Sequence, residues 1–296
     1  MIKVVLKGGL GNQMFQYCAG LSIARKLNTS LVLDTTFLKS FSPMPGFTYR
    51  KYELDFFNVQ NKVVSKFTDE LFSKYLGYPL MMLSSFFNKK HYKEKDPYAF
   101  DSSFYNLKKG TILEGYFNNT NYFRGVEHEI QKIFDLDKFY NSKFDDIETK
   151  IKSCNSVSIN IRRGDYTNTK HKDVFVHLDT PYYKEALKII EKKVENPHYF
   201  IFSFDDDGTF EDWIETELGI SKNKITLIGK EYVGEQFKTY LRLISLCKHN
   251  IISNSTFAFW GAYLNKNQTK TVVCAKRWAT KGNNFEAPKS WKIIEN

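Results

Sequence analysis

Two adjacent arginines follow a hydrophobic segment in the second half of the chain, in the run Arg162-Arg163-Gly164-Asp165. A guanidinium forms parallel hydrogen bonds to a phosphate and keeps its charge near neutral pH. Arg162 could therefore stabilise a departing diphosphate without a metal ion. Asp165 could orient an arginine or accept a proton, and we favour orientation because a carboxylate paired with a guanidinium is a weaker base. The alternative for the whole run is a surface ion pair within a turn.

A glycine-rich turn near the N-terminus, Gly8-Gly9-Leu10-Gly11, leads into Asn12 and Gln13. Backbone N–H groups at a helix start attract anions and polar substrates, so the turn predicts one wall of a site that includes Gly11, Asn12 and Gln13. Glycines that only turn the chain are the alternative. The spacing also resembles a dinucleotide fingerprint with Asp34 as the ribose ligand, but Met14 occupies the third glycine position.

An acidic run, Asp205-Asp206-Asp207, follows the hydrophobic segment that ends near Ser203. Three interpretations remain open. The Asp-x-Asp spacing of Asp205 and Asp207 could hold a divalent cation on a nucleotide diphosphate. One carboxylate, Asp205 or Asp206, could accept hydrogen bonds from guanine. Acidic residues also favour the start of a following helix.

Hydroxyl and amide side chains recur in the run Ser253-Asn254-Ser255-Thr256, which precedes another predicted helix. Polar groups beside helix N–H groups suit a phosphate, whereas capping alone would need one of the four. Phe257 follows and is included with this loop, although its ring is expected to pack in the core. The histidines are scattered and predict no metal site.

The elements that position these residues form two α/β series. The first comprises a strand over 2–6, a helix over 12–27 and a strand over 30–34, and residues 40–150 are expected to form helices and irregular loops. The second comprises strands over 156–161, 199–202, 225–228 and 250–252 with intervening helices. Thr180 is expected to cap the first of these helices, with Pro181 next, and Ser253-Asn254 to cap the last. The helix between them aligns Phe237 with Leu241 and Ile244. We expect two Rossmann-like domains facing across a cleft, an acceptor-side domain over 1–150 and a nucleotide-binding domain over 151–296.

Composition limits the class of partner. The chain has 296 residues and a formal net charge of +10, so an anionic ligand is expected. The basic residues are spread along the chain, which disfavours nucleic acid. Four separated cysteines, no signal-peptide pattern and no apolar run long enough to span a membrane favour the cytoplasm. Lysines 89, 90, 93 and 95 beside aromatic residues could contact anionic lipid, or form a solvated face with the aromatics turned inward.

Taken together, these segments resemble the bacterial α-1,2-fucosyltransferase family, glycosyltransferase family 11-like. The resemblance covers most of the chain in family order. It rests on Gly8 to Tyr17, Glu114-Gly115-Tyr116-Phe117 with Tyr122-Phe123, Ile161 to Tyr166, Tyr199 to Ser203, and Cys247 to Leu264.

The resemblance implies a glycosyltransferase-B-like fold, GDP-fucose as donor, inversion at the sugar carbon and no metal or other cofactor. It implies that Arg162 grips the β-phosphate with Arg163 beside it, and that Asn12 faces the reaction centre. It implies that Ser253 to Thr256 lie under the nucleotide and that the acceptor is an oligosaccharide or lipid-linked glycan. Asn160 replaces the family histidine, and Phe204 separates Ser203 from the aspartates, which leaves Asp205 and Asp206 as alternatives.

Three other functions also fit parts of this sequence. A metal-dependent glycosyltransferase would use Asp205 and Asp207. A non-catalytic module for glycans or nucleotides would tolerate Asn160, which cannot take up a proton. A dehydrogenase would use the glycine turn and Asp34.

Overall fold

The computed structural model describes residues 1–39, 50–65, 90–161, 174–203, 210–233 and 237–296. They form two compact units, Met1–Phe134 and Asp135–Asn296, and each contains a parallel β-sheet. The predicted α/β class with two parallel sheets is confirmed. The unit boundary precedes the expected position near residue 150, because Phe144 and Ile147 pack into the core of the second unit.

The first unit contains strands β1 to β5 in the order β3-β2-β1-β5-β4, and every neighbouring pair is parallel. The strands are β1 Ile2–Val5, β2 Leu31–Asp34, β3 Lys62–Val64, β4 His91–Lys93 and β5 Ile112–Glu114; the helices are α1 Leu10–Lys26, α2 Thr36–Lys39 and α3 Glu127–Ile133. Short 3₁₀ turns cover Asp55–Phe57, Ser102–Asn106 and Thr120–Phe123.

The predicted β1-α1-β2 unit is confirmed. The expectation of only helices and loops over 40–150 was wrong, because β3, β4 and β5 are three-residue strands too short to show a periodic pattern. Close packing of α1 on β1 occurs at Gly20, where an added Cβ would lie 2.3 Å from Val4 Cγ2. Gly20, not the position of Met14, therefore provides the close approach of helix to strand.

The second unit contains strands β6 to β11 in the order β11-β10-β9-β6-β7-β8, again parallel throughout. Read from β8, this is the doubly wound order of dinucleotide-binding folds. The strands are β6 Asn155–Asn160, β7 Pro197–Phe202, β8 Ile225–Ile228, β9 His249–Ile252, β10 Val272–Ala275 and β11 Lys292–Ile294. The helices are α4 Asp145–Ser153, α5 Thr180–Glu191, α6 Phe210–Trp213, α7 Lys238–Leu246 and α8 Thr256–Tyr263, with a π-helix over Ile214–Leu218 and 3₁₀ turns over Leu136–Phe139, Ser142–Phe144, Lys222–Lys224 and Lys230–Tyr232.

Three helix starts differ from the expectations. The residue that precedes α5 is Asp179, so Thr180 is already helical and Pro181 lies within the first turn. The cap of α8 is Ser255, not Ser253 or Asn254. Phe237 precedes α7 with φ 62° and is exposed, whereas Leu241 and Ile244 are buried. The hydrophobic periodicity located the helices, but local hydrogen bonds decided where each begins.

Candidate active site

Each sheet has a place where the strand order reverses direction, and doubly wound sheets bind ligands beyond the carboxyl ends of their strands at such places. In the second unit the reversal falls between β6 and β9, which are neighbours in the sheet. In the first unit it falls between β1 and β5. The carboxyl ends of these two strand pairs are therefore the candidate site edges.

A neutral pair of side chains bridges the reversal in the second unit. Ser253, directly after β9, donates its hydroxyl to Asn160 Oδ1 at the end of β6 over 2.5 Å. Asn160 Nδ2 also reaches the carbonyl of Phe202 at 3.4 Å, and the hydroxyl of Tyr183 donates to the Asn160 carbonyl at 3.3 Å. Asn160 and Ser253 are both buried. The residue at the family-histidine position is thus held in place by strands on both sides.

The polar loop after β9 is mostly engaged within the protein. Asn254 donates to the carbonyls of Val176 at 2.8 Å and Trp278 at 3.0 Å. Ser255 Oγ accepts the N–H of Ala258 at 3.3 Å and caps α8. Both residues are buried and shape the loop, and the ligand contacts expected of Asn254 and Ser255 stay predictions. Thr256 and Phe257, at the start of α8, are partly exposed.

Most of the charged candidates lie outside the described residues: Arg162, Arg163, Asp165, Asp205, Asp206 and Asp207. Their predicted roles stay predictions. The residues that lead into them are described, since Ile161 continues from β6 and Ser203 follows β7. Ser203 is buried, and its carbonyl accepts the Tyr240 hydroxyl at 3.4 Å.

The glycine turn of the first unit connects β1 to α1. Gly8 has φ +77°, and an added Cβ would lie 2.6 Å from Asn12 Nδ2, so the Asn12 amide lies directly over this glycine. Gly9 precedes α1 and its carbonyl accepts the N–H of Gln13 at 3.0 Å. Asn12 is partly exposed, whereas Gly11 is buried. Asn12 is thus the member of the predicted site wall whose side chain can meet a ligand.

Gln13 acts within the fold. Its amide donates to the carbonyls of Gly8 and Lys51, each at 2.8 Å, and its Oε1 accepts the N–H of Glu53 at 2.9 Å. The residue is 0% exposed. These hydrogen bonds give Gln13 a positioning role, because they tie the glycine turn to the segment that carries Glu53; its predicted substrate contact stays a prediction.

The surroundings of Asp34 do not suit the predicted role of a ribose ligand. It is buried, and its Oδ1 accepts the N–H of Thr36 at 3.0 Å. The carboxylate is engaged at the start of α2. Together with Met14, this contradicts the dinucleotide-fingerprint interpretation.

A charged cluster bridges the strand-order reversal of the first unit. Lys7 Nζ lies 3.0 Å from Glu114 Oε1, and His91 Nε2 lies 3.1 Å from Glu114 Oε2. The side chain of Glu114 is 2% exposed. Burial opposes ionisation of Glu114, but His91 and the ammonium of Lys7 outweigh it and lower its pKa to about 2. Glu114 is therefore ionised and internally paired.

Glu94, one residue beyond β4, is a second perturbed carboxylate at this edge. Burial raises its pKa to about 7, against the opposing effect of the N–H groups of Phe117 and Tyr116 and the charge of Lys7. Its oxygens accept the Tyr116 N–H at 2.6 Å and the Phe117 N–H at 2.9 Å. Neither carboxylate was predicted as a site residue from the sequence. Their positions at the carboxyl edge of the sheet, Glu114 as the last residue of β5 and Glu94 one residue beyond β4, could have indicated them.

The basic segment beside β4 is only partly described. Lys90, Lys93 and Lys95 are exposed. The ring of Tyr92 packs 5.6 Å from that of Phe104, and its hydroxyl donates to Asp101 at 3.0 Å. This aromatic residue is thus turned inward. In the described ranges, no cluster of three potential metal-ligating side chains occurs, and no helix has the length and hydropathy needed to cross a bilayer.

Comparison with known proteins identifies the chemistry. The family model described as Glycosyl transferase family 11 matches residues 1–294. The O-antigen biosynthesis glycosyltransferase WbnK of Escherichia coli is 33% identical, over 94% of this chain and 95% of that protein. An alpha-1,2-colitosyltransferase of Escherichia coli is 28% identical, over 98% and 97%.

More distant similarities extend to other organisms. Galactoside alpha-(1,2)-fucosyltransferase 1 of Homo sapiens is 27% identical over 38% of this chain and 30% of its own length. Among solved structures, the fucosyltransferase NodZ from Bradyrhizobium has 12% identity and a TM-score of 0.44, covering 88% of this chain and 91% of that one.

Two parallel α/β units with polar side chains at their strand-order reversals are typical of ligand-binding α/β proteins. The match over nearly the whole chain then identifies its reaction as glycosyl transfer. The chain belongs to glycosyl transferase family 11.

Proposed function

We propose that this glycosyltransferase moves L-fucose from GDP-fucose to a hydroxyl of a glycan, forming an α-1,2 bond to galactose with inversion. The donor class is supported by the named activities of the relatives, which include a fucosyltransferase and a colitosyltransferase. The acceptor is an oligosaccharide or a lipid-linked glycan.

The observation that carries the proposal is the Asn160–Ser253 pair at the strand-order reversal of the second sheet. Nucleotides bind beyond the carboxyl ends of strands at this position of a doubly wound sheet. Arg162 is two residues beyond Asn160 in the sequence, so it begins the segment that leaves this edge. A guanidinium there can neutralise the charge that the diphosphate gains as the glycosidic bond breaks.

In this proposal Arg162 binds the β-phosphate and Arg163 supports it, while Asp165 orients the pair. Asp205 or Asp206 accepts hydrogen bonds from guanine. Asn12 contacts the reacting sugar. Thr256 and Phe257 contact the nucleotide from the start of α8.

The experiment that tests the function is release of GDP from GDP-fucose and, in parallel, from GDP-colitose, with a panel of β-galactosides as acceptors. We expect GDP release from GDP-fucose only when a galactoside is present, and a product whose new bond is an α-1,2 linkage by NMR. Turnover with GDP-colitose alone would overturn the fucose assignment and leave family membership intact.

The role of Arg162 is tested by Arg162→Ala. Loss of a donor aimed at developing charge costs about 3–4 kcal/mol of barrier, so kcat should fall by roughly a hundredfold or more. Arg277→Ala is the matched control, because Arg277 is an exposed arginine of the same unit, and it should keep wild-type activity. An Arg162→Ala enzyme within threefold of wild type would contradict the assignment.

The reaction is also proposed to need no metal, since the arginine supplies the positive charge. Activity in excess EDTA should equal activity without it. Loss of activity in EDTA and its recovery with Mg²⁺ or Mn²⁺ would favour the alternative in which Asp205 and Asp207 hold a cation.

We further propose a cytoplasmic enzyme that can rest on anionic lipid through the exposed Lys90, Lys93 and Lys95. Flotation with vesicles of phosphatidylcholine alone or with phosphatidylglycerol tests the contact. Equal flotation with both kinds of vesicle would contradict the proposed contact with anionic lipid.

A further inference from the structure

The second unit exposes an aromatic side chain at the carboxyl edge of its sheet. Phe237 is 36% exposed, although its spacing predicts a helix face shared with the buried Leu241 and Ile244. It directly precedes α7, which connects β8 to β9 within a parallel sheet. A helix in such a crossover runs antiparallel to the strands and begins at their carboxyl ends. Phe237 therefore lies at the edge where doubly wound sheets bind nucleotides.

The start of α7 is fastened to the sheet by Tyr240, three residues after Phe237. The buried hydroxyl of Tyr240 lies within hydrogen-bond distance of two backbone carbonyls, 3.0 Å from that of Ile228 and 3.4 Å from that of Ser203. Ile228 ends β8, and Ser203 directly follows β7. Ser203 also leads into the acidic run whose proposed ligand is guanine. Phe237 is thus positioned near the strand ends where the base of the nucleotide is expected.

A second ring accompanies Phe237 at this edge. Phe257 belongs to the first turn of α8, which follows β9 and therefore also begins at the carboxyl ends of the strands. The ring centroids of Phe237 and Phe257 are 6.1 Å apart, and their planes meet at 73°, an edge-to-face contact. Phe257 is partly exposed. Two helices thus contribute one ring each to a partly exposed aromatic pair, Phe237 and Phe257.

The backbone of Phe237 adopts a conformation that a bulky side chain disfavours. Its φ is 62° and its ψ is 14°, in the left-handed region. Glycine and asparagine adopt this region more readily, because a larger side chain crowds the neighbouring backbone there. The stability of the helix start therefore does not explain a phenylalanine at this position, and residues held in such conformations cluster at ligand sites.

We propose that Phe237 stacks on the guanine base of the donor nucleotide, with Phe257 supporting its ring. This inference rests on the proposed function, and it gives a binding role to a residue whose spacing predicts helix packing. An aromatic ring stacks on the flat face of any base, so the contact supplies affinity and not base identity. Identity comes from the carboxylate after β7, which accepts hydrogen bonds from the ring N–H and amine of guanine.

The test measures the Kd for GDP by titration calorimetry in variants of Phe237. Removal of a stacking ring weakens binding about 5–150-fold, so the Kd should rise by such a factor in Phe237→Ala. Phe237→Tyr keeps the ring and should stay close to wild type, whereas Phe237→Leu keeps only an apolar side chain and should resemble Phe237→Ala. An unchanged Kd in Phe237→Ala, or equal values for Phe237→Tyr and Phe237→Leu, would overturn the proposal.

Two further variants separate binding from folding. Phe237→Asn removes the ring but suits the left-handed backbone, so its Tm should exceed that of Phe237→Ala while its Kd for GDP is equally raised. A Kd that returns toward wild type together with the Tm would mean that the ring acts only through the fold. Tyr140→Ala is the matched control, because Tyr140 is another exposed aromatic residue of the same unit, and it should keep the wild-type Kd.

The two proposals fail in different ways. If wild type releases GDP from GDP-fucose but Phe237→Ala binds GDP as tightly as wild type, the stacking assignment is wrong and the proposed function stands. If wild type neither binds GDP nor releases it with any galactoside, the proposed function itself is wrong, and the stacking assignment falls with it.

Discussion

The two sheets bridge their strand-order reversals with opposite chemistry. In the first unit the bridge is charged: the ammonium of Lys7 meets the carboxylate of Glu114 across β1 and β5. In the second unit the bridge is neutral: the hydroxyl of Ser253 meets the amide of Asn160 across β6 and β9. Similar topology therefore does not dictate similar polarity, and the difference tells what each edge can bind.

Under the proposed function, a neutral bridge suits an edge that holds a charged donor, because a carboxylate at the position of Asn160 would compete with a diphosphate for a guanidinium, whereas an amide would not. The charged bridge of the first unit is neutralised internally, because Lys7 and Glu114 carry opposite charges. Variants on each bridge can break this contrast or make it sharper.

The largest effect is expected from Lys7→Met. It leaves Glu114, 2% exposed, without its ammonium partner, and removal of one partner from a buried pair costs about 3–5 kcal/mol. Chemical denaturation should register this loss. Lys3→Met is the control, because Lys3 lies on β1, the strand that precedes Lys7, is more exposed than Lys7 and is 3.9 Å from Asp34; a smaller loss than that of Lys7→Met is expected there. Equal effects for the two variants would show that the charged bridge is not special.

An intermediate effect is expected from Asn160→Ala. The buried hydroxyl of Ser253 would lose its acceptor, which costs about 1–3 kcal/mol of unfolding free energy. Ser253→Ala and the double variant complete a double-mutant cycle. The double variant should be less destabilised than the sum of the two single ones, since both polar partners are then absent. Strict additivity would mean that the neutral bridge stabilises nothing.

The smallest effect is a pH dependence carried by Glu94. Its pKa is raised to about 7 from an ordinary 4.5, so the folded protein binds this proton more tightly than the unfolded chain does. The associated stability is present below pH 4.5 and is lost as the pH rises to about 7. Glu94→Gln should remove this loss, so the difference in Tm between wild type and variant should change between pH 4.5 and pH 7.5.

Comparison with the variant is needed because burial also lowers the pKa values of His198 and His249, which makes stability depend on pH in the opposite sense. Glu114, with a pKa of about 2, does not titrate there. A difference in Tm that is constant with pH would contradict the assignment to Glu94.

Local patterns predicted the regular elements well where these elements were long. The glycine turn with the strands around it, and the strands β6, β7, β8 and β9, follow from hydrophobic runs bounded by turn residues. The three-residue strands β3, β4 and β5 could not be predicted, because hydrogen bonds to neighbours from distant parts of the chain define them. Because β4 and β5 were not predicted, the positions of Glu94 and Glu114 at the carboxyl edge of the sheet could not be predicted either.

The polar candidates divide in a similar way. Gln13 and Asn254 are of residue types that often bind ligands, yet their side-chain amides donate hydrogen bonds to backbone carbonyls from other parts of the fold. Residue type alone cannot distinguish an amide that binds a substrate from one that satisfies a buried backbone group, since both need the same donors. Asn12, which lies one residue from Gln13, is partly exposed.

The sequence by itself determined the α/β class, the order of the main elements and the family, because hydrophobic periodicity and motif order are properties of the linear chain. Only the tertiary structure decided which polar residues are internal supports and which are exposed. It also brought Glu53 to a glycine turn more than forty residues earlier in the chain. The physical reason is that the proton affinity of a carboxylate depends on burial and neighbouring charges, and these come from segments that the linear order separates.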